Sequence, residues 1–139
     1  MNASPPTAAL PPRYYRDPEV LEAEHERIFE RTWQLAGHSS ALREPGRYIT
    51  CQAGTQPVLV VRAKDGKLRA FRNVCRHRGS RVLSGSGQCG KAIRCRYHGW
   101  TYRLDGSLIG MPEVRSFGDI DKSGLGLLPA RVEEAGGLR

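Results

Sequence analysis

Cysteine and histidine alternate at four positions, first as Cys75-Arg76-His77 and then, seventeen residues further on, as Cys95-Arg96-Tyr97-His98. Thiolate and imidazole are strong protein ligands for transition metals, and each short segment carries one of each. Each segment must therefore fold as a loop that presents two different donors, and the rest of the chain must hold the two loops face to face. In that arrangement Cys75 and Cys95 bind one iron and His77 and His98 the other, the ligand division of a mixed-ligand [2Fe–2S] cluster. A zinc site also mixes these residues, but its ordinary order is a cysteine pair followed by a histidine pair. The interleaved order weighs against zinc and against an accidental spacing of core cysteines, which stay open as alternatives. Gly79 and Gly99 follow the two segments and supply the backbone freedom that a loop folding over a metal needs.

The flanking sequence predicts a mainly β framework for these loops. Val58 to Ala63 and Leu68 to Asn73 bracket Asp65-Gly66, a tight-turn signal, so a hairpin leads directly to Cys75. Residues 92–94 and 100–104 bracket the second loop, and Asp105-Gly106 turns the chain into residues 107–110. Residues 33–36 and 48–51 are further short strands, the second preceded by a Pro45-Gly46 turn. Asp17-Pro18-Glu19 reads as an N-cap, a proline at the first helical position and an acid in the first turn. It predicts a helix over 18–31 with an apolar face of Leu21, Ile28 and Phe29.

At 139 residues and 39% hydrophobic content the chain is long enough for one domain with a real core. Residues 1–12 lack the basic and apolar regions of a signal peptide, and no run approaches the length of a membrane helix. No membrane association and a cytoplasmic location are the expectations. Cys51 and Cys89 are then free thiols. His25 and His38 read as ordinary packing or surface residues, because no second histidine follows Glu22-x-x-His25 at the spacing a further iron site needs.

Two runs carry a family resemblance: Asn73-Val-Cys-Arg-His-Arg-Gly79 and Cys95-Arg-Tyr-His-Gly-Trp-Thr-Tyr102. The chain resembles the Rieske [2Fe–2S] domain of aromatic-ring-hydroxylating (Rieske non-haem iron) oxygenase large, or alpha, subunits, including relatives that act on choline- or betaine-like amines. Tyr14 to Glu19, Trp33 to His38 and Leu125 to Pro129 resemble the same N-terminal region. The fold implied is a small antiparallel Rieske-type β-sandwich, mainly β, with an N-terminal amphipathic helix. Ser80 and Tyr97 stand where respiratory-type Rieske proteins carry a disulfide, so that bridge is not expected. The serine and tyrosine that donate to cluster sulfurs in those proteins are also expected to be unmatched, with Trp100 following Gly99. Fewer donors imply a potential toward the low end of the Rieske range of about −150 to +300 mV.

The resemblance also implies what lies elsewhere. In the family a mononuclear Fe(II) sits in a C-terminal catalytic domain on a 2-His-1-carboxylate triad, and that domain is expected beyond residue 139. The expected organisation is a flexible Pro-rich arm over 1–13, the helix and first strand over 14–44, the Rieske domain over 45–130, and the start of a connection over 131–139. The function implied is electron transfer within an oxygenase alpha subunit of a ring-hydroxylating dioxygenase or related monooxygenase. The electron donor would be a ferredoxin or flavin reductase, and the acceptor the catalytic domain of a neighbouring alpha subunit. A stand-alone Rieske-type ferredoxin carrier is the alternative.

The formal charge of +8 is unevenly placed. Arg69, Arg72, Arg76, Arg78, Arg81, Arg94, Arg96 and Arg103 lie on or beside the ligand loops and their strands. No aromatic-interleaved recognition motif accompanies them, so nucleic acid is not the expected partner. Arginines around a redox centre suit an acidic electron donor, or contacts with other parts of a larger oxygenase.

Overall fold

The computed structural model describes residues 9–112 and 120–135. Most of the predicted 1–13 arm, and the last four positions of the predicted 131–139 connection, lie outside the described residues. The chain divides into two units, residues 1–34 and 35–139.

In the first unit a 3-10 turn, Pro12–Tyr15, precedes helix α1, Pro18–Glu24. The Asp17 carboxylate accepts from the Glu19 N–H at 3.0 Å, so the cap forms as its residue type dictates. The predicted helix over 18–31 is α-helical only to Glu24 and then widens into a π-turn, His25–Phe29, where Glu30 N–H reaches back to His25 C=O at 2.9 Å. Arg31 Nε donates to Glu26 C=O at 3.0 Å, and Ile28 C=O closes the turn by accepting the N–H groups of Arg31 and Thr32 at 3.1 and 3.0 Å and Thr32 Oγ1 at 2.8 Å. Among the described residues of this unit none is buried, and Leu21 and Ile28 are about half exposed.

The predicted strand over 33–36 does not form. Its alternation needs a face to bury Trp33 and Leu35, yet Leu35 is 92% exposed and the segment has no ladder partner. The second unit begins with a 3-10 turn, Ser39–Leu42, capped by His38, whose Nδ1 accepts from Ser40 N–H at 3.2 Å.

Among the described residues eight strands follow: β1 Arg47–Ala53, β2 Gln56–Arg62, β3 Leu68–Arg72, β4 Ser86–Gln88, β5 Ala92–Arg94, β6 Thr101–Arg103, β7 Leu108–Gly110 and β8 Pro129–Ala130. They build two antiparallel sheets, one in the order β4-β1-β2-β3-β8 and one in the order β5-β6-β7. The predicted hairpins are present, but the Asp65-Gly66 turn is a three-residue loop. Gly66 N–H closes on Ala63 C=O at 3.0 Å, Ala63 N–H on Lys67 C=O at 2.8 Å, and Gly66 takes φ +79° as the left-handed bulge residue. Gly106 repeats the pattern between β6 and β7 at φ +90°, with its N–H on Arg103 C=O at 3.0 Å. Gly106 is also a sheet-to-sheet contact: a Cβ there would fall 2.4 Å from Phe71 Cε1.

Alternation along β2 divides the core. Leu59 and Val61 point into the main cluster with Tyr48, Phe71, Ile93, Tyr102 and Leu108, whereas Val58 and Val60 join Leu42, Ile49 and Ala70 on the other face. Both faces of the first sheet are thus covered, and both loops of interest open from the main cluster. Among the described residues no helix is long and apolar enough to cross a membrane.

Candidate metal centre

The two Cys/His segments fold as matching loops. Cys75 N–H donates to Ser80 C=O at 2.7 Å and Gly79 N–H to Cys75 C=O at 3.0 Å. In the second loop Cys95 N–H donates to Trp100 C=O at 2.8 Å and Gly99 N–H to Cys95 C=O at 3.0 Å. Gly79 at φ +69° and Gly99 at φ +71° occupy the same left-handed position in each loop, which explains a glycine four residues after each cysteine. The first loop leaves β3, and the second joins β5 to β6.

This frame sorts the four predicted ligands by chemistry. Cys75 and Cys95 are buried, at 3% and 2% exposure, and their thiols interact with one another. His77 and His98 are half-buried and meet edge to face with ring centroids 4.7 Å apart. Among the described residues no three Cys, His, Asp or Glu side chains converge as ligands of a single ion. Two thiols on the inner side and two imidazoles on the outer side match the two kinds of ligand that a mixed-ligand two-iron cluster takes. Burial pushes the Cys75 thiol up, so in the absence of metal it holds its proton, and metal binding must displace it. Burial, reinforced by His98, pushes His77 down and favours the neutral imidazole that a metal requires.

The two imidazoles have different neighbours. Trp100, only 5% exposed, stacks on His77 at 5.0 Å and 7°. Tyr97, 62% exposed, lies over His98 at 3.7 Å. Cys51 on β1 and Cys89 after β4 are free thiols, and His25 packs on Phe29 at 5.4 Å.

Two supporting residues escaped the sequence reading. Tyr102, fully buried on β6, places its hydroxyl 3.2 Å from Cys75 Sγ and accepts the Arg76 N–H at 3.1 Å. Either group can donate in that 3.2 Å contact; burial raises the phenol so that it keeps its proton, which Tyr102 can donate once Cys75 is a thiolate. The expectation of an unmatched tyrosine donor is thus corrected. The signal was available: Tyr102 follows Cys95 by seven residues and points inward on a strand. Asn73, 1% exposed, is the second. Its side chain donates to Leu83 C=O at 2.8 Å and accepts from the N–H groups of Val82 and Leu83, each at 3.1 Å, pinning the chain that leaves the first loop.

The predicted concentration of arginine also separates into two groups. Arg69 is held by Asp65 at 2.8 Å, whereas Arg76, Arg78, Arg81, Arg94 and Arg96 are exposed and form no ion pair among the described residues.

Comparison with known proteins agrees with this geometry. Residues 32–127 match the Rieske [2Fe-2S] domain family. The chain is 45% identical over 130 residues to the benzene 1,2-dioxygenase subunit alpha of Pseudomonas putida, covering 93% of this chain and 29% of that protein. It is 41% identical over 137 residues to the carnitine monooxygenase oxygenase subunit of Acinetobacter baumannii, covering 98% of this chain and 37% of that one. The solved apo form of the quaternary ammonium Rieske monooxygenase CntA superposes with a TM-score of 0.82 at 40% identity, over 91% of this chain and 37% of that chain. The chain thus spans about a third of the length of the relatives it matches. With the matched loops, the buried thiols and the paired imidazoles in place, the chain belongs to the Rieske [2Fe-2S] domain family, whose members in the oxygenases form part of the alpha subunit.

Proposed function

We propose that this chain is the electron-transfer part of an oxygenase alpha subunit, with Cys75 and Cys95 holding one iron of the cluster and His77 and His98 the other. The observation that carries the assignment is the repeated loop frame, which buries both thiols and brings both imidazoles to the same edge. When bound, a [2Fe–2S] cluster supplies one-electron storage at a potential tuned by its surroundings. The buried thiolates keep water from the inner side, and Tyr102 directs its proton to Cys75 Sγ, easing the added negative charge. His77 and His98 present the outer edge to partners, with Trp100 fixing one ring plane and Tyr97 covering the other. The donor is a ferredoxin or flavin reductase. The acceptor is a mononuclear iron in a catalytic domain beyond this chain, on a neighbouring subunit, with residues 131–135 opening the connection. The cluster-bearing region is 45–130.

Low-temperature EPR of the dithionite-reduced protein, with iron, sulfide and zinc quantified on the same sample, tests the assignment. A rhombic signal with average g near 1.9 and about two irons and two sulfides per chain is the expected result. His98→Cys should shift the spectrum and lower the potential. An unchanged spectrum excludes His98 as a ligand, and stoichiometric zinc with no signal overturns the assignment.

A further inference from the structure

The two ligand loops belong to different sheets: the first follows β3 of the five-stranded sheet, and the second joins β5 to β6 of the three-stranded sheet. Each loop is closed by its own backbone hydrogen bonds, which fix its shape but not its place opposite the other. Two side chains from the end of the second loop and its exit strand reach across that divide. Trp100, whose C=O closes the second loop on Cys95 N–H at 2.8 Å, lays its ring on His77 of the first loop at 5.0 Å and 7°. Two residues on, Tyr102 sets its hydroxyl 3.2 Å from Cys75 Sγ and accepts the Arg76 N–H at 3.1 Å. Positions two apart in an extended segment share one face, and Trp100, Tyr102 and Leu104 are buried while Thr101 and Arg103 are more open. One face of this segment thus meets both ligands of the first loop. His98 is served differently: Tyr97, its neighbour within the same loop, lies over it at 3.7 Å and is itself exposed.

We infer that Trp100 is a positioning residue for His77, and that with Tyr102 on Cys75 it braces the first loop against β6, so that the first ligand pair takes its place from the strand that leaves the second loop. The inference rests on the cluster assignment above and adds the residues outside the ligand set that place one half of it. The χ2 torsion of a histidine is broad on its own, so its ring plane must be set by a neighbour. An indole held in a close-packed core has few alternative rotamers, whereas an exposed tyrosine is not confined in that way. The His77 plane is therefore the fixed one and the His98 plane the adjustable one.

The test is pulsed EPR of the dithionite-reduced full chain, in which the two iron-bound histidine nitrogens give separate hyperfine couplings, together with the rate of cluster loss to a chelator. Trp100→Leu keeps an apolar side chain but removes the flat ring. It should change one nitrogen coupling, leave the other, and speed cluster loss about tenfold. Trp100→Met, whose unbranched side chain fills irregular gaps, should act in the same direction and takes the place of the leucine variant where that one does not fold or load. Trp100→Phe, which keeps a ring against His77, should restore most of the parent coupling and retention. Val61→Ala is the control for a merely structural role: Val61 is buried on β2 and pairs with Arg69 near the Asp65-Gly66 turn, away from Cys75. It should lower the unfolding temperature and leave both couplings and the rate of cluster loss at the parent values. Couplings that both move or both stay in the leucine or methionine variant, a phenylalanine variant no closer to the parent, or the same spectral change in Val61→Ala overturns the inference. Absence of the Rieske EPR signal in the parent protein would instead remove the underlying cluster assignment.

Discussion

The Arg62 guanidinium holds the Glu134 carboxylate at two points, 3.2 and 3.4 Å, while donating to the carbonyls of Leu42 at 2.7 Å and Gly66 at 2.9 Å. One side chain at the end of β2 thereby joins the turn before β1, the β2–β3 loop and the segment after β8. The Arg62 side chain is 13% exposed and that of Glu134 44%, so the carbonyl bonds outweigh the screened ion pair. Arg62→Ala should lower the unfolding free energy by about 2–3 kcal/mol, since it strands two acceptors. Glu134→Gln should cost far less. Urea unfolding of the two variants checks this, and equal losses would contradict it.

Among the described residues four carboxyls are held below their ordinary range: Asp65 at about 2, chiefly by its bond from Arg69, Asp105 and Asp121 by Ser107 and Ser123, and Glu134 by Arg62. A depressed folded value means the contribution is complete above the unfolded value near 4 and is lost as pH falls through the folded one. Stability from these groups should therefore be flat from neutral pH to about 5 and decline between about 4 and 2. Asp65→Asn should flatten part of that decline. A wild-type stability profile with no acid limb in this window would show the sign to be wrong.

Tyr102→Phe removes the donor to Cys75 Sγ and leaves Arg76 N–H without its acceptor. The reduced cluster carries more negative charge on sulfur and gains more from that bond, so the potential should fall. A differential of about 1 kcal/mol corresponds to roughly 40 mV for one electron. Spectroelectrochemical titration of both proteins measures it, and an unchanged potential would show that the hydroxyl does not tune the cluster.

Asn73→Leu leaves the N–H groups of Val82 and Leu83 and the carbonyl of Leu83 buried without partners. A loss of about 3 kcal/mol or more is expected, with weaker cluster retention, because these residues carry the chain out of the first loop. Thermal unfolding and iron content read the two effects separately. Stability within about 0.5 kcal/mol of wild type would mean the segment is held by packing alone.

The parts legible in the sequence are those written in local chemistry. The two matching Cys/His loops show in their spacing, and the hairpins show because Gly66 and Gly106 mark positions that only a left-handed residue fills comfortably. What was misread depends on distant partners. Residues 33–36 alternate like a strand but have no ladder to join. Strand β4 was missed because Ser86-Gly87-Gln88 has weak strand propensity and exists only through its pairing with β1. The part played by Tyr102 was missed because its contact with Cys75 spans 27 positions.

The repeated frame of the two ligand loops has a kinetic meaning. Each loop is closed by backbone hydrogen bonds between its own residues, so the frame restricts where its donor atoms can sit. An electron that arrives or leaves then alters charge without asking the polypeptide to rearrange, and the matched rigid grips on either side keep the nuclear cost of each transfer small.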